Sequence, residues 1–411
     1  MRLPEPRAEA RISERTVLLA VALGTTLAPL NSTMIAVALP RILEELEQGP
    51  AASAWLVTAY LVAMATLQPF AGALGDRFGR RRLMLLGLAW FGAVSLGATF
   101  AASFTLLAAC RIQQGIAAAI ALPNGTAVAR DVLPPERRAR GFSLIGSLTG
   151  IAAAGGPPLG GLLVATAGWR AMFLASVPIV LVSMLLAWRA VPAGVSEAQA
   201  AARRERPRRG WLPHLVRPGS FVAACATVCL SNLAFYTTLL VVPLLFASAP
   251  GWTSARSGGV LAALLGASLV CTPLGGTLAD RFGRRRPAVG GQLLVTAALA
   301  GLGLAARAAG GGAPPLPLLI ATLALTGVGL GIAGPGTQTA AVEAAGAADA
   351  GAAAGLYSTS RYLGSIAGSA ALAALLGGAA STGDQLEAVF TLIVLAAALS
   401  ALTALGLRAR E

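Results

Sequence analysis

Arg111 and Arg361 each lie inside a long apolar run, about two helical turns from the nearer end of that run. A guanidinium in such a run costs at least ~2.5 kcal/mol at the centre of a membrane helix, so an intramembrane charge is a functional site by default. Arg111 is followed three residues later by Gln114, on the same helical face. The pair is thus a candidate functional site; snorkelling or a bond to a backbone carbonyl would be the structural alternative. The role of Arg361 stays open between the same choices. Asn31, Gln68, Gln114, Asn124, Asn232 and Tyr236 are further polar side chains in apolar runs, able to hydrogen-bond a solute. Each could instead join two helices, a bond of typically ~0.6 kcal/mol.

What these residues do not form is equally informative. The only histidine, His214, lies in a polar stretch, and Cys110, Cys225, Cys229 and Cys271 lie in apolar runs without metal-site spacing. There is no paired carboxylate or catalytic histidine within a run, and no G-x-x-x-x-G-K-S/T loop. Enzyme, metal-centre and nucleotide-motor readings are thereby set aside, and no cofactor is expected. Of the 17 acidic residues, none falls in the middle third of an apolar run. Asp76, Asp131, Asp280 and Glu343 cluster at one end, and Glu44, Glu45, Glu47, Asp384 and Glu387 at the other. A membrane-embedded proton carrier needs a group whose pKa can move toward 7 on burial. A cavity with inward-facing Arg111 and Arg361 and no acid should hold a positive potential, favouring neutral or anionic solutes over cations.

The elements that must position these residues are membrane helices. The chain has 411 residues, 56% hydrophobic and 12% charged, against about 25% charged in a soluble domain. Twelve segments reach the ~20 apolar residues needed to cross ~30 Å of hydrocarbon. They fall near 16–40, 52–74, 83–102, 104–129, 140–165, 170–190, 219–246, 256–278, 287–309, 315–341, 351–378 and 386–407. Each must be helical, since a helix satisfies its own backbone in lipid. The first run follows a polar arm without a short cleavable pattern and reads as a retained span.

The net charge of +14 comes from 31 basic residues, all arginine. They cluster between apolar runs, as in cytoplasmic membrane loops, which sets aside a nucleic-acid partner. Loops after spans 2, 4 and 8, both termini and the central stretch are Arg-rich, whereas the alternate loops hold Arg41, Arg170, Arg256 and Arg307. Both termini and the central loop are therefore expected in the cytoplasm. The loop after span 10, with Glu343 and Asp349 and no arginine, departs from this pattern. Trp55, Trp169 and Trp252 at the outer boundaries and Trp188 near an inner one read as an aromatic belt.

The chain repeats itself. PFAGALGDRFGRRR (69–82) matches PLGGTLADRFGRRR (273–286), Pro40 matches Pro243, Gly115 and Pro123 match Gly327 and Pro335, and Phe142–Ser143 matches Tyr357–Ser358. The fold expected is an all-α membrane protein of twelve transmembrane helices in two pseudo-symmetric six-helix bundles, 1–190 and 219–411, joined by a cytoplasmic loop, 191–218. Duplicated bundles usually carry a midplane site between the halves and rock about it. In the repeated loop, Gly72 and Asp76 share a helical face; Gly72 would let a neighbouring helix approach, and Asp76 could face a helix N-terminus. The arginine run alone would also serve as a topology signal with a tight turn. Gly155, Gly156, Gly160 and Gly161 around Pro157 and Pro158 suit close helix packing with a bend.

The two G-x-x-x-D-R-x-G-R-R loops resemble the signature of the major facilitator superfamily. The span 4 sequence 111–115 is similar to its R-x-x-Q-G motif. The span 5 sequence 156–161 is similar to the G-P-x-x-G-G motif of the drug:proton antiporter branch. The resemblance implies that Gly72, Asp76, Arg77, Gly79, Arg80, Asp280, Arg281 and Gly283 latch the halves, that Arg111 joins in proton coupling, and that Gly156 and Pro157 belong to an export motif. It also implies a multi-pass, monomeric multidrug-efflux-type antiporter of the bacterial cytoplasmic membrane, working on a small organic molecule against protons. A metabolite importer or uncoupled facilitator is the alternative. One position departs: that branch has L-D-x-T in span 1, where this chain has Leu30–Asn31–Ser32–Thr33. Asn31 cannot titrate.

Overall fold

The computed structural model describes residues 14–49, 52–191, 219–246, 251–309, 314–345, 350–376 and 382–408. The N-terminal arm to residue 13, the central stretch 192–218 with His214, and Asp349 lie outside the described residues. Among the described residues twelve helices run in order: α1 Glu14–Glu45, α2 Ala52–Phe78, α3 Arg80–Thr99, α4 Phe104–Val132, α5 Pro135–Ala167, α6 Arg170–Ala190, α7 Gly219–Phe246, α8 Ser254–Phe282, α9 Arg285–Ala308, α10 Leu316–Ala345, α11 Ala350–Leu376 and α12 Thr382–Ala404. Ten are long and apolar enough to cross a membrane, and α2 joins them when its parts on either side of a 52° bend are taken together. The bend falls at Pro69, which has no backbone N–H to give the helix. In α11 the polar run through Arg361 dilutes the apolar stretch.

Local chemistry sets the helix ends. Ser103 accepts a bond from the Leu106 amide to start α4, and Thr253 accepts one from Arg256 to start α8, each satisfying an otherwise orphaned donor. Helix α5 begins five residues before the span expected at 140, because Pro135 stands at its first turn, where a missing N–H costs nothing. Between α2 and α3, Gly79 adopts φ 92°, and between α8 and α9, Gly283 adopts φ 80°. Only glycine takes that conformation without strain, so the two copies of the loop turn alike for the same reason.

The packing is doubled. In the first half α1 packs on α5, α6 and α4, α4 on α2 and α3, and α3 on α6. The second half repeats this: α7 on α11, α12 and α10, α10 on α8 and α9, and α9 on α12. Between halves, α5 meets α8 and α2 meets α11, a pair of contacts that one two-fold axis relates, and α1 meets α7. Matched glycines explain part of this. A β-carbon on Gly115 would fall 2.6 Å from the Tyr60 carbonyl oxygen, and one on Gly327 would fall 2.0 Å from that of Leu264. The α2–α4 and α8–α10 crossings are thus backbone to backbone, which small residues permit.

One boundary residue is not where a belt would place it. Trp169 is 2% exposed; its Nε1 donates to Glu45 at 2.7 Å and the Arg170 guanidinium lies 4.2 Å over its ring. It locks the α5–α6 turn onto the end of α1. Trp55 and Trp188, at 67% and 62% exposed, do face outward.

Candidate functional site

The first half is centred on Arg111, fully buried on α4. Its Nη1 donates to Asn31 Oδ1 on α1 and to Gln114 Oε1 at 2.8 Å, and its Nε donates to the Leu56 carbonyl on α2 at 3.3 Å. Its Cζ lies 4.3 Å above the Tyr60 ring. Gln114 passes the network on to Ser95 of α3 at 2.8 Å, and Asn31 Nδ2 reaches Ser176 of α6 at 3.5 Å. Five helices of this half, α1, α2, α3, α4 and α6, therefore hold one cation through a network of amide, carbonyl, hydroxyl and π groups, every one of them neutral. Two donors stay unmatched: Arg111 Nη2 and the Tyr60 hydroxyl have no hydrogen-bond partner among the described residues.

This cluster borders the other half. Ser32, next to Asn31, shares a 3.1 Å hydrogen bond with the Tyr236 hydroxyl of α7, and Thr58 of α2 shares one of 2.6 Å with Ser369 of α11. Arg361 of α11 is exposed and lies 5.4 Å from the ring of Tyr362. Tyr60, Tyr236 and Tyr362 are near enough to interact electrostatically, and Tyr236 interacts with both Arg111 and Arg361. Asn31, Arg111, Gln114 and, across the seam, Tyr236 are thus brought together. Asn232 donates to the Val228 carbonyl of its own helix at 3.0 Å, and Gln68 lies half-buried at the α2 bend. Asn124 stands apart: its Nδ2 donates to the Ala71 carbonyl at 3.1 Å, fastening α4 to α2 near the Arg-rich end.

The span 5 motif has two faces. A β-carbon on Gly156 would lie 1.9 Å from Thr33 Oγ1, and one on Gly160 would lie 3.1 Å from Met34 Cα, so these glycines seat α5 on α1. Gly161 meets the Ser254 carbonyl at 2.6 Å, and Gly258 of α8 meets that of Pro157 at 2.4 Å, measured the same way. Pro157 and Gly161 therefore carry the contact between halves at the Arg-poor end. Gly155 has nothing within 4 Å among the described residues.

The repeated loops form matched charge clamps. Arg80 is 6% exposed; it donates through Nε (3.1 Å) and Nη2 (2.7 Å) to Asp76 Oδ1, and through Nη1 to Asp131 Oδ2 at the end of α4 (2.7 Å). Arg284 donates to Asp280 at 2.5 Å and to Glu343 at the end of α10 at 2.9 Å. The hydrogen bonds from Glu343 first and Asp280 second hold the Arg284 guanidinium above its ordinary pKa, so it stays a cation at any working pH. Arg77 and Arg281 each lie 5.3 Å from the ring of the following phenylalanine. The expectation for Gly72 is corrected: nothing approaches it within 4 Å among the described residues. Close approach falls instead on Gly75, where a β-carbon would lie 1.8 Å from Asn124 Oδ1. Asp131 and Glu343 were missed as partners, although they extend by eight residues the register that pairs Gly115 with Gly327 and Pro123 with Pro335.

The clamps differ in burial, which separates their energetics. Side chains of Arg80 and Asp131 are 8% and 7% exposed, whereas Arg284 and Glu343 are 25% and 54% exposed. Arg80→Ala, which strips a buried carboxylate of its closest partner, should cost about 3 kcal/mol. Arg284→Ala should cost about 1 kcal/mol or less. Thermal unfolding of both variants in detergent checks this, and equal losses would contradict it.

Two pseudo-symmetric six-helix bundles that meet along a polar seam define the architecture of a secondary transporter. The chain belongs to the Major Facilitator Superfamily: the model of that family matches residues 21–369 and also 224–411. This is a family of membrane transporters, not of enzymes. The chain is similar to the uncharacterized MFS-type transporter YvkA of Bacillus subtilis (28% identical over 293 residues, 60% of this chain and 66% of that protein). It is also similar to the tetracenomycin C resistance and export protein of Streptomyces glaucescens (28% over 335 residues, 69% and 62%) and to the multidrug efflux pump LfrA of Mycolicibacterium smegmatis (36% over 176 residues, 43% and 35%). The matches span about two thirds or less of the length of these relatives. Among solved structures, a bacterial homolog to the human lysosomal transporter Spinster superposes with a TM-score of 0.75 at 16% identity, over 96% of this chain and 97% of that one. That likeness concerns the fold alone.

Proposed function

We propose that the protein is a secondary active exporter of small organic molecules, neutral or anionic, that works by alternating access at the seam between its halves. The observation that carries this reading is Arg111, a buried cation whose hydrogen-bond and ring partners are all neutral. In a low-dielectric site its field attracts negative charge and opposes positive charge, a penalty of several kcal/mol for a cation placed beside it. The relatives named for resistance and efflux support the direction. The reading includes proton coupling, a cytoplasmic-membrane location with both termini inside, and a monomer with segment 191–218 linking the halves. The Gly161–Ser254 and Pro157–Gly258 contacts would then close the outer side, and the charge clamps would act at the inner side.

An uncoupled facilitator or metabolite importer is the second reading. It is favoured by one observation: Asn31 occupies the position of the carboxylate expected of a drug:proton antiporter. Efflux from proteoliposomes with an imposed pH gradient distinguishes the two. Coupled export predicts flux of an anionic solute that follows the gradient and collapses with a protonophore. Flux indifferent to the gradient would overturn the coupled reading.

A further inference from the structure

We propose that Arg111 Nη2 and the Tyr60 hydroxyl form the docking point for a carboxylate carried by the transported molecule. The inference rests on the transport reading above and names the functional group that this site selects.

Both groups are buried donors without an acceptor among the described residues. An arginine has five N–H donors and no acceptor, and a tyrosine hydroxyl can donate one hydrogen bond. Leaving such groups unmet in a dry interior is costly, most of all on a charged group. The Arg111 donors that are met go to Asn31, Gln114 and the Leu56 carbonyl, which supply lone pairs but no net charge. What the site lacks is therefore an acceptor that is also an anion. A carboxylate is both, and its bonds to a guanidinium are charge-assisted, about twice as strong as neutral ones. The guanidinium sits 4.3 Å above the Tyr60 ring, so one small planar anion beside that ring can accept from Nη2 and from the hydroxyl together.

The position also suits a travelling ligand. The neighbouring Ser32–Tyr236 bond of 3.1 Å spans the two halves, and Tyr362 and Arg361 line the facing side. Parting the halves would break that bond and open the site toward Tyr60 and Arg111. Arg361 adds a second positive charge across the seam. The substrate thus supplies the negative charge that the chain does not carry at position 31. An apolar body would lie along the aromatic seam.

The test is binding by the purified full chain in detergent, read as thermal stabilisation, with naphthalene-2-carboxylate and naphthalene-2-carboxamide as matched probes and added sodium chloride as the inorganic arm. The carboxylate is expected to raise the unfolding midpoint well beyond any rise the carboxamide gives. Tyr60→Phe, which removes only the hydroxyl, should weaken the carboxylate about tenfold. Asn31→Asp, which gives Arg111 an internal anion, should abolish the carboxylate response while the protein stays folded. Equal responses to carboxylate and carboxamide would overturn the proposal, as would a carboxylate response that survives Asn31→Asp. A response to chloride alone, lost with Arg111→Gln, would replace it with an inorganic-anion site. Protein-dependent flux of neutral solutes without carboxylate binding would remove this inference and leave the transport reading standing.

Discussion

Asn31→Asp is expected to reverse the charge preference of the site. The new carboxylate would occupy the place from which Asn31 Oδ1 now accepts a bond from Arg111. The centre of the first half then changes from a net cation to a neutral pair. Anionic solutes lose their attraction to Arg111 and meet a negative charge instead, while cationic solutes lose a repulsive neighbour. Uncovering or cancelling one member of a buried charge pair is worth ~2–5 kcal/mol, so transport of anions should fall by ~30-fold or more. Transport of a lipophilic monocation should rise. Competition assays in proteoliposomes, wild type beside variant, check both signs at once. An anion preference unchanged by the substitution would mean that Arg111 does not set the field at the seam.

The second large effect concerns the contact between halves. Gly258→Leu puts a branched side chain where a single β-carbon would already lie 2.4 Å from the Pro157 carbonyl oxygen. Helices α5 and α8 cannot yield locally, because the neighbouring approach at Gly161 and Ser254 is also backbone to backbone, at 2.6 Å from a β-carbon. The closed Arg-poor end is therefore destabilised relative to the state in which these helices part. An overpacking penalty of ~1–3 kcal/mol shifts such an equilibrium by ~5- to 150-fold. Transport should fall at least tenfold while each half keeps its fold. Distances between spin labels on the Arg-poor ends of α5 and α8 should lengthen in the variant. Unchanged distances with unchanged transport would show that these glycines only fill space.

Much of the fold could be read in the sequence because lipid leaves few options. Apolar length dictated helices, and the repeated loop at residues 69–82 and 273–286 dictated two related halves. The repeat even foretold its own geometry, since Gly79 and Gly283 both take positive φ. The register of the repeat also held the Asp131 and Glu343 clamps, because fixed offsets between halves carry partners as well as helices. What sequence could not reach was which face of a helix meets which neighbour. Gly72 and Gly75 lie on the same helix in the same motif, yet only Gly75 is closely approached. Asn31 and Asn124 look alike in apolar runs, but one meets a guanidinium and the other a backbone carbonyl of α2. Tyr60 resembles any core aromatic until Arg111 is found above its ring. Trp169 is another case, a boundary tryptophan whose indole turns inward to Glu45 because that carboxylate and Arg170 offer it a partner.

The missing carboxylate ties these observations together. Arg111 and Arg361 both bring positive charge near the seam, and the charge preference that follows can be read directly. The most direct test is protein-dependent flux into proteoliposomes of three isosteric probes: naphthalene-2-carboxylate, naphthalene-2-carboxamide and 2-naphthylmethylammonium. A site set by Arg111 without an internal acid predicts that the carboxylate and the carboxamide cross faster than in empty liposomes, and that the ammonium crosses at the empty-liposome rate. An ammonium ion carried faster than either of the others would contradict it.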